Sequence, residues 1–168
     1  MQPMGVRAGR SRRLCLLLIE LPVTRFLLLI IYTACGLALS LAVNVVSFTS
    51  IPLGENFPFP ALLWGIFPAF LSVILIGRSE RNKVTTDERD VDYWGLLLAG
   101  CPAALKYAFW ACFAYTWLLG MVFAVRHTHE SQAAWRVVSA FCMTFYAMGL
   151  AASAGAYFRG RSLQRPLR

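Results

Sequence analysis

Four long apolar blocks at 26–47, 61–77, 102–125 and 135–158 organise the chain, and short polar stretches separate them. None of the four contains Asp or Glu. Their lengths fall within the range of about 17–25 residues that carries a helix across the hydrocarbon of a bilayer. The pattern predicts an all-α integral membrane protein with four transmembrane helices. These form one domain over 26–158, between a basic N-terminal arm (1–25) and a basic tail (159–168).

The polar stretches refine this picture. The 78–101 loop mixes Arg78, Arg81, Lys83 and Arg89 with Glu80, Asp87, Glu88, Asp90 and Asp92. Thr85 and Glu88 have the spacing of a capping box, and Val91, Trp94, Leu97, Leu98 and Cys101 recur at helical intervals. This predicts an amphipathic cytoplasmic helix lying on the membrane before the third span. Gly100 and Pro102 should end it. A third span starting at 102 puts Lys106 within its first turns, where a long side chain reaches back to the headgroups. Tyr107 and Trp110 complete an interfacial anchor with it. Pro68 should kink the second span.

Small and polar residues mark where helices should meet. Gly36, Ser40 and Asn44 are spaced four apart and share one face of the first span; Gly149 and Ser153 share one of the fourth. Small residues let helix backbones approach closely, and Asn can hydrogen-bond across the contact. The pattern allows two readings of Asn44, a packing seam or the lining of a polar site.

Composition fits the same class. Hydrophobic residues make up 58% of the chain and charged ones 14%, with a mean hydropathy of +0.60. Soluble domains carry roughly 25% charged residues. The net charge of +8 does not point to nucleic acid, because the bases cluster beside apolar blocks. Most flank one side of the spans: the arm, the 78–101 loop and the tail. Arg126 and Arg136 stand on the other. The positive-inside rule places both termini in the cytoplasm.

No cofactor or metal is expected. Cys15, Cys35, Cys101, Cys112 and Cys142 form no C-x-x-C pair, and most sit in apolar blocks as small packing residues. His127 and His129 lie in a short polar loop, so no span offers an imidazole to a haem.

Trp64, Gly65, Ile66, Phe67 and Pro68, then Gly100, Cys101 and Pro102 with Lys106, Tyr107 and Tyr115, then Ser139 with Met143, Thr144, Phe145 and Tyr146, together resemble a group of small bacterial four-span inner-membrane proteins without a known function. The resemblance covers most of the chain from the second span onward and implies architecture and a bacterial inner membrane, not an activity. In the fourth span, Ala140 and Phe141 stand where the group's pattern has Gly-His.

These features lead to the expectation of a non-enzymatic protein that acts by association in the bilayer, as an accessory or protective partner. Its expected contacts are lipid, a membrane-protein partner or further copies of itself. The alternative is a subunit of an oligomeric transporter or channel for a neutral or lipophilic solute. Spans without acids argue against proton or ion coupling, and the cysteine pattern argues against a thiol enzyme.

Overall fold

A computed structural model describes residues 7–49, 59–81, 92–126 and 131–163, and the side chains of 24–49, 60–81, 92–123 and 133–162. All described elements are helices: α1 (Arg7–Val46), α2 (Phe59–Trp64), α3 (Ile66–Arg81), α4 (Tyr93–Leu97), α5 (Ala103–Arg126) and α6 (Ser131–Leu163). Four stretches are long and apolar enough to cross a membrane: Thr24–Val46, Pro60–Arg81, Ala103–Phe123 and Ala133–Ser162. The protein is a four-span, all-α membrane protein.

The boundaries differ from the sequence expectation in three places. The helix of the first span already begins at Arg7, so most of the basic arm continues that span as helix. The last helix runs past Phe158 to Leu163 and takes the first residues of the tail with it. Ahead of the third span, the described helix has only five residues and takes Asp92 as its N-cap, whose carboxylate accepts from Trp94 N at 3.1 Å. The Thr85–Glu88 capping box lies outside the described residues.

The second span is interrupted one turn ahead of Pro68. Pro68 has no N–H to offer the carbonyl of Trp64, and its ring crowds that carbonyl. Helix α2 therefore stops at Trp64, Gly65 is a turn, and α3 restarts at Ile66. The backbone hydrogen bond from Gly65 N to Ala61 O, at 2.9 Å, ties the turn residue back to α2.

The α4–α5 junction follows from local chemistry. Gly100 adopts φ +72°, a left-handed conformation suited to glycine, and turns the chain after α4. Pro102 then stands just ahead of α5, and its carbonyl accepts from the amides of Leu105 and Lys106 at 3.0 and 3.2 Å. The start at Ala103 keeps Lys106 within the first turn or so, as the Gly100 and Pro102 pattern implies.

Helix α6 is the hub. In its most apolar stretch 72% of residues are buried, against 6% in α5. Helices α1, α3 and α5 each pack on α6, α1 most extensively, whereas α1 and α3 touch little. Alanines make this possible: Ala147, Ala151, Ala152, Ala154 and Ala156 are all buried and let three neighbours come close. One core cluster joins Val73, Ile76, Phe109, Ala151 and Ala152, with Leu97 and Leu98 of the α4 segment plugging the end of the bundle. A second joins Val43, Leu62, Ile66, Ala69, Cys142 and Tyr146 toward the opposite end.

Candidate functional site

The polar side chains of the spans gather at three levels along α6. At the end where α1 finishes, Asn44 is 5% exposed and ties three helices together. Its Nδ2 donates to Ser139 Oγ at 2.9 Å and to Arg136 O at 3.1 Å, both on α6. Its Oδ1 accepts from the Tyr115 hydroxyl of α5 at 2.9 Å. Ser139 donates in turn to Arg136 O at 3.0 Å. A primary amide with two donors and one acceptor is matched here on each of them. In hydrocarbon, where water cannot stand in, this is the arrangement a buried amide requires.

Arg136 closes this end. Its Nε donates to Ser47 O at 2.9 Å, just past the C-terminus of α1, and its guanidinium lies 4.5 Å from the centre of the Phe48 ring. The last carbonyls of a helix lack intrahelical partners and carry partial negative charge. Helix α1 has no base in its last turn, so α6 supplies one from outside, with a cation–π contact added.

Midway along, the ring of Tyr146 lies against Gly36 of α1, so close that a Cβ there would occupy the ring's own space. The Tyr146 hydroxyl donates to Leu62 O at 3.1 Å, and Tyr32 of α1 donates to Gly65 O at 2.6 Å. Both acceptors flank the break in the second span. Neighbouring side chains thus bond backbone groups beside a proline break, as broken helices in membranes require. Further along the same seam, Gly149 faces Thr33 Cγ2 at 3.0 Å and Ala69 Cβ at 3.4 Å, both measured from an ideal Cβ.

On the other flank of α6, Thr116 donates to Ala140 O at 2.8 Å and Thr144 donates to Cys112 O at 3.1 Å, which links α5 to α6. Within α1, Ser40 and Thr33 donate to carbonyls one turn back, Gly36 O and Leu29 O, each at 2.7 Å. Both are fully buried. Ser153 is also fully buried, and its hydroxyl makes no hydrogen bond among the described residues.

The third level is the basic end. Arg159 of α6 hydrogen-bonds the carbonyl of Ala99, in the turn after α4, and its Nε lies 3.6 Å from Glu80 Oε2 of α3. The turn at Gly100 packs directly on this arginine: a Cβ there would meet Arg159 Cγ at 2.7 Å and Gly155 O at 3.3 Å. Arg136 and Arg159 are thus paired devices, each closing the end of a neighbouring segment. About 34 Å of helix separates them at about 1.5 Å per residue, close to the roughly 30 Å of a hydrocarbon core.

At the same end Lys106 is half-buried, Tyr107 is 75% exposed and Trp110 is 44% exposed. Trp94 of α4 stacks on Phe109 with centroids 5.7 Å apart and lies 6.1 Å from Trp110. Burial pushes the Cys101 thiol above its ordinary range, with Lys106 and Arg159 opposing.

Of the residues singled out in sequence, Gly36, Asn44 and Gly149 meet other helices. Ser40 satisfies itself on its own helix, and Ser153 has no partner among the described residues. Lys106, Tyr107 and Trp110 stand together at one end of α5. Arg136, Arg159, Tyr32 and Tyr146 were not singled out as site residues. The signal for the arginines was their place at the two ends of the last apolar block, Arg136 just inside it and Arg159 just past it, a helix length apart. Tyr115, Ser139 and Tyr146 figure only in the resemblance, and all three prove to be cross-helix hydrogen-bonders.

Between α3 and α5, which do not close on each other, a groove of about 650 Å³ runs over α6 and opens sideways. It is lined mainly by Phe70, Phe109, Phe113, Trp117, Phe141, Phe145 and Met148, with Trp94 at its basic end. Chemically it offers apolar contact. Among the described residues, no three His, Cys, Asp or Glu side chains come together as a metal site would need, and Cys35, Cys101, Cys112 and Cys142 are free thiols. Comparison with protein families, curated proteins and solved structures finds no match for this chain.

Proposed function

We propose that this protein acts by association within the bilayer, as a non-enzymatic accessory or protective partner, in a bacterial inner membrane with both termini cytoplasmic. The observation that carries this reading is the thin packing of α5, which leaves over half of its described residues exposed and only 6% of its most apolar stretch buried. Helix α5 packs one flank on α6, meets α1 through the Tyr115–Asn44 hydrogen bond, and leaves a ridge of Tyr107, Ala111, Ala114 and Leu118 outward. Tyr107 and Leu118 are 75% and 65% exposed. The two alanines between them make a shallow saddle of the kind that lets a second helix backbone approach. The internal bonding of Asn44, Ser40 and Thr33 weighs against the alternative, a polar path for a solute, because these groups are buried and already matched.

The cytoplasmic placement rests on the distribution of bases, and the bacterial membrane on the resemblance in the second, third and fourth spans.

Native mass spectrometry of the gently solubilised protein tests the association. The wild type should carry a second chain, its own or another. Ala111→Trp with Ala114→Trp should release it while leaving the helical signal unchanged. A wild type that flies as a bare monomer at every detergent concentration would remove the proposal.

A further inference from the structure

A different face of α5 carries a second conclusion. Lys106, Phe109, Phe113, Thr116 and Gly120 follow one another at steps of three and four, so they form one stripe of the helix. All but Lys106 line the groove between α3 and α5. Lys106 stands one turn before Phe109, at the end where α5 begins and where Trp94 closes the groove wall. The stripe therefore runs from a cation at headgroup depth into an aromatic trough at acyl-chain depth.

Gly120 is the second observation. A glycine inside a spanning helix is commonly explained by a neighbour pressing on its backbone. Gly36 and Gly149 are such cases, whereas an ideal Cβ on Gly120 would meet nothing within 4 Å. It lines the groove and leaves it open where α5 approaches the far leaflet. No packing partner within the described chain accounts for the missing side chain.

We propose that the groove is a binding site for one anionic phospholipid of the leaflet at the Lys106 end. Its acyl chain lies along α6 between Phe113 and Phe145, and its phosphate pairs with Lys106. The choice of occupant follows from charge and shape. The trough is lined by apolar and aromatic side chains along the spans, which suits a flexible hydrocarbon chain. The cation at its mouth makes a neutral molecule the poorer fit, since a Lys near an anionic headgroup contributes about 1 kcal/mol. Lys106 then has a defined task beyond setting helix depth. The outward ridge at Ala111 and Ala114 lies about a quarter-turn or more away, so lipid binding and association are separable.

The test is native mass spectrometry of the full-length protein titrated with phosphatidylglycerol or phosphatidylcholine of identical acyl chains. The wild type should take up one phosphatidylglycerol about fivefold more tightly than phosphatidylcholine, the preference one lysine supplies at headgroup depth. Lys106→Gln should bring the two lipids level without weakening phosphatidylcholine. Gly120→Phe, whose Cβ would enter open space and whose ring would fill the trough, should abolish uptake of both. Equal binding by the wild type overturns the proposal, as does undiminished uptake by Gly120→Phe. So does a second protein chain or a neutral apolar molecule that holds the groove against added phosphatidylglycerol. A measurement without variants uses vesicles of phosphatidylcholine containing a small fraction of either lipid brominated on its acyl chain. Brominated phosphatidylglycerol should quench the tryptophan emission more than brominated phosphatidylcholine at the same fraction, through Trp94 and Trp117 in the groove wall; equal quenching overturns the proposal.

Discussion

Tyr146 of α6 and Gly36 of α1 occupy complementary halves of one contact: the ring takes the space that any side chain at Gly36 would need. The same tyrosine reaches across to Leu62 O at the break in the second span. A change at Gly36 therefore disturbs three helices, although the residue itself has no side chain. Gly36→Ala should lower stability by about 1–3 kcal/mol, the usual cost of overpacking. Gly120→Ala, facing open space, should be near neutral or slightly stabilising. Reversible unfolding in mixed detergent micelles would compare the two. Equal effects would mean that the close approach of Tyr146 does not limit packing.

The Asn44 clamp should behave as a unit. Interhelical hydrogen bonds in membranes contribute about 0.6 kcal/mol on average. Tyr115→Phe should cost about that much, and Asn44→Leu should cost about 1–2 kcal/mol, because three bonds go at once. The double variant should fall short of the sum of the singles by roughly the value of the shared bond. Strict additivity would contradict the 2.9 Å contact between the two side chains.

At the basic end, Gly100→Ala should destabilise for two separable reasons. The left-handed backbone costs about 1–2 kcal/mol for any residue with a Cβ, and the new methyl group would press on Arg159. In an Arg159→Ala background the clash with Arg159 should vanish, while the backbone cost and the milder 3.3 Å approach to Gly155 O should remain. Gly160→Ala, with nothing within 4 Å of its Cβ, is the control and should be silent. Thermal melts of the four variants would read the difference.

The Cys101 thiol should resist alkylation near neutral pH. Burial disfavours the thiolate and raises its pKa above the ordinary value of 9.0, and only the thiolate reacts. In a variant keeping Cys101 as the sole cysteine, maleimide labelling should be slow at pH 7–8 and climb only above pH 9. Lys106 favours the charged form, so Lys106→Gln should slow labelling further at each pH. Faster labelling in that variant would show that the lysine shields the thiol rather than stabilising its anion.

Orientation has a direct readout. A reporter active only outside the cytoplasm should be silent after Arg168 and active when inserted at 127–130. Activity at the C-terminus would invert the topology and move Lys106 and its groove mouth to the opposite leaflet.

Much of this architecture can be read along the chain, because hydrocarbon imposes its demands on each segment separately. Length and apolarity are enough to mark four spans, the missing N–H of Pro68 marks a disruption in the second, and Gly100 with Pro102 marks where the third begins. Local rules also misplaced some boundaries. Pro68 acts on the carbonyl four residues earlier, so the break falls at Gly65. Helix α1 begins well before the apolar block because a helix does not stop where hydrophobicity does.

The order of the helices in space was decided only by the tertiary structure. Apolarity does not track burial: mean hydropathy is 2.4 in the first span, 17% of it buried, 1.6 in the fourth, 72% buried, and 1.2 in the third, 6% buried, so composition does not say that α6 lies at the centre and α5 at its flank. That follows from which small-residue faces meet, and several helices carry one. Nor does spacing along one helix show where a polar side chain finds its partner. Asn44 and Ser40 share a face, yet Asn44 crosses to α5 and α6 while Ser40 bonds to its own backbone one turn away. The 78–101 loop and the tail show the same division. Their bases identify a membrane surface through charge alone, but only the fold brings Arg159 onto the Gly100 turn, because that contact depends on α6 running back past α4 at close range.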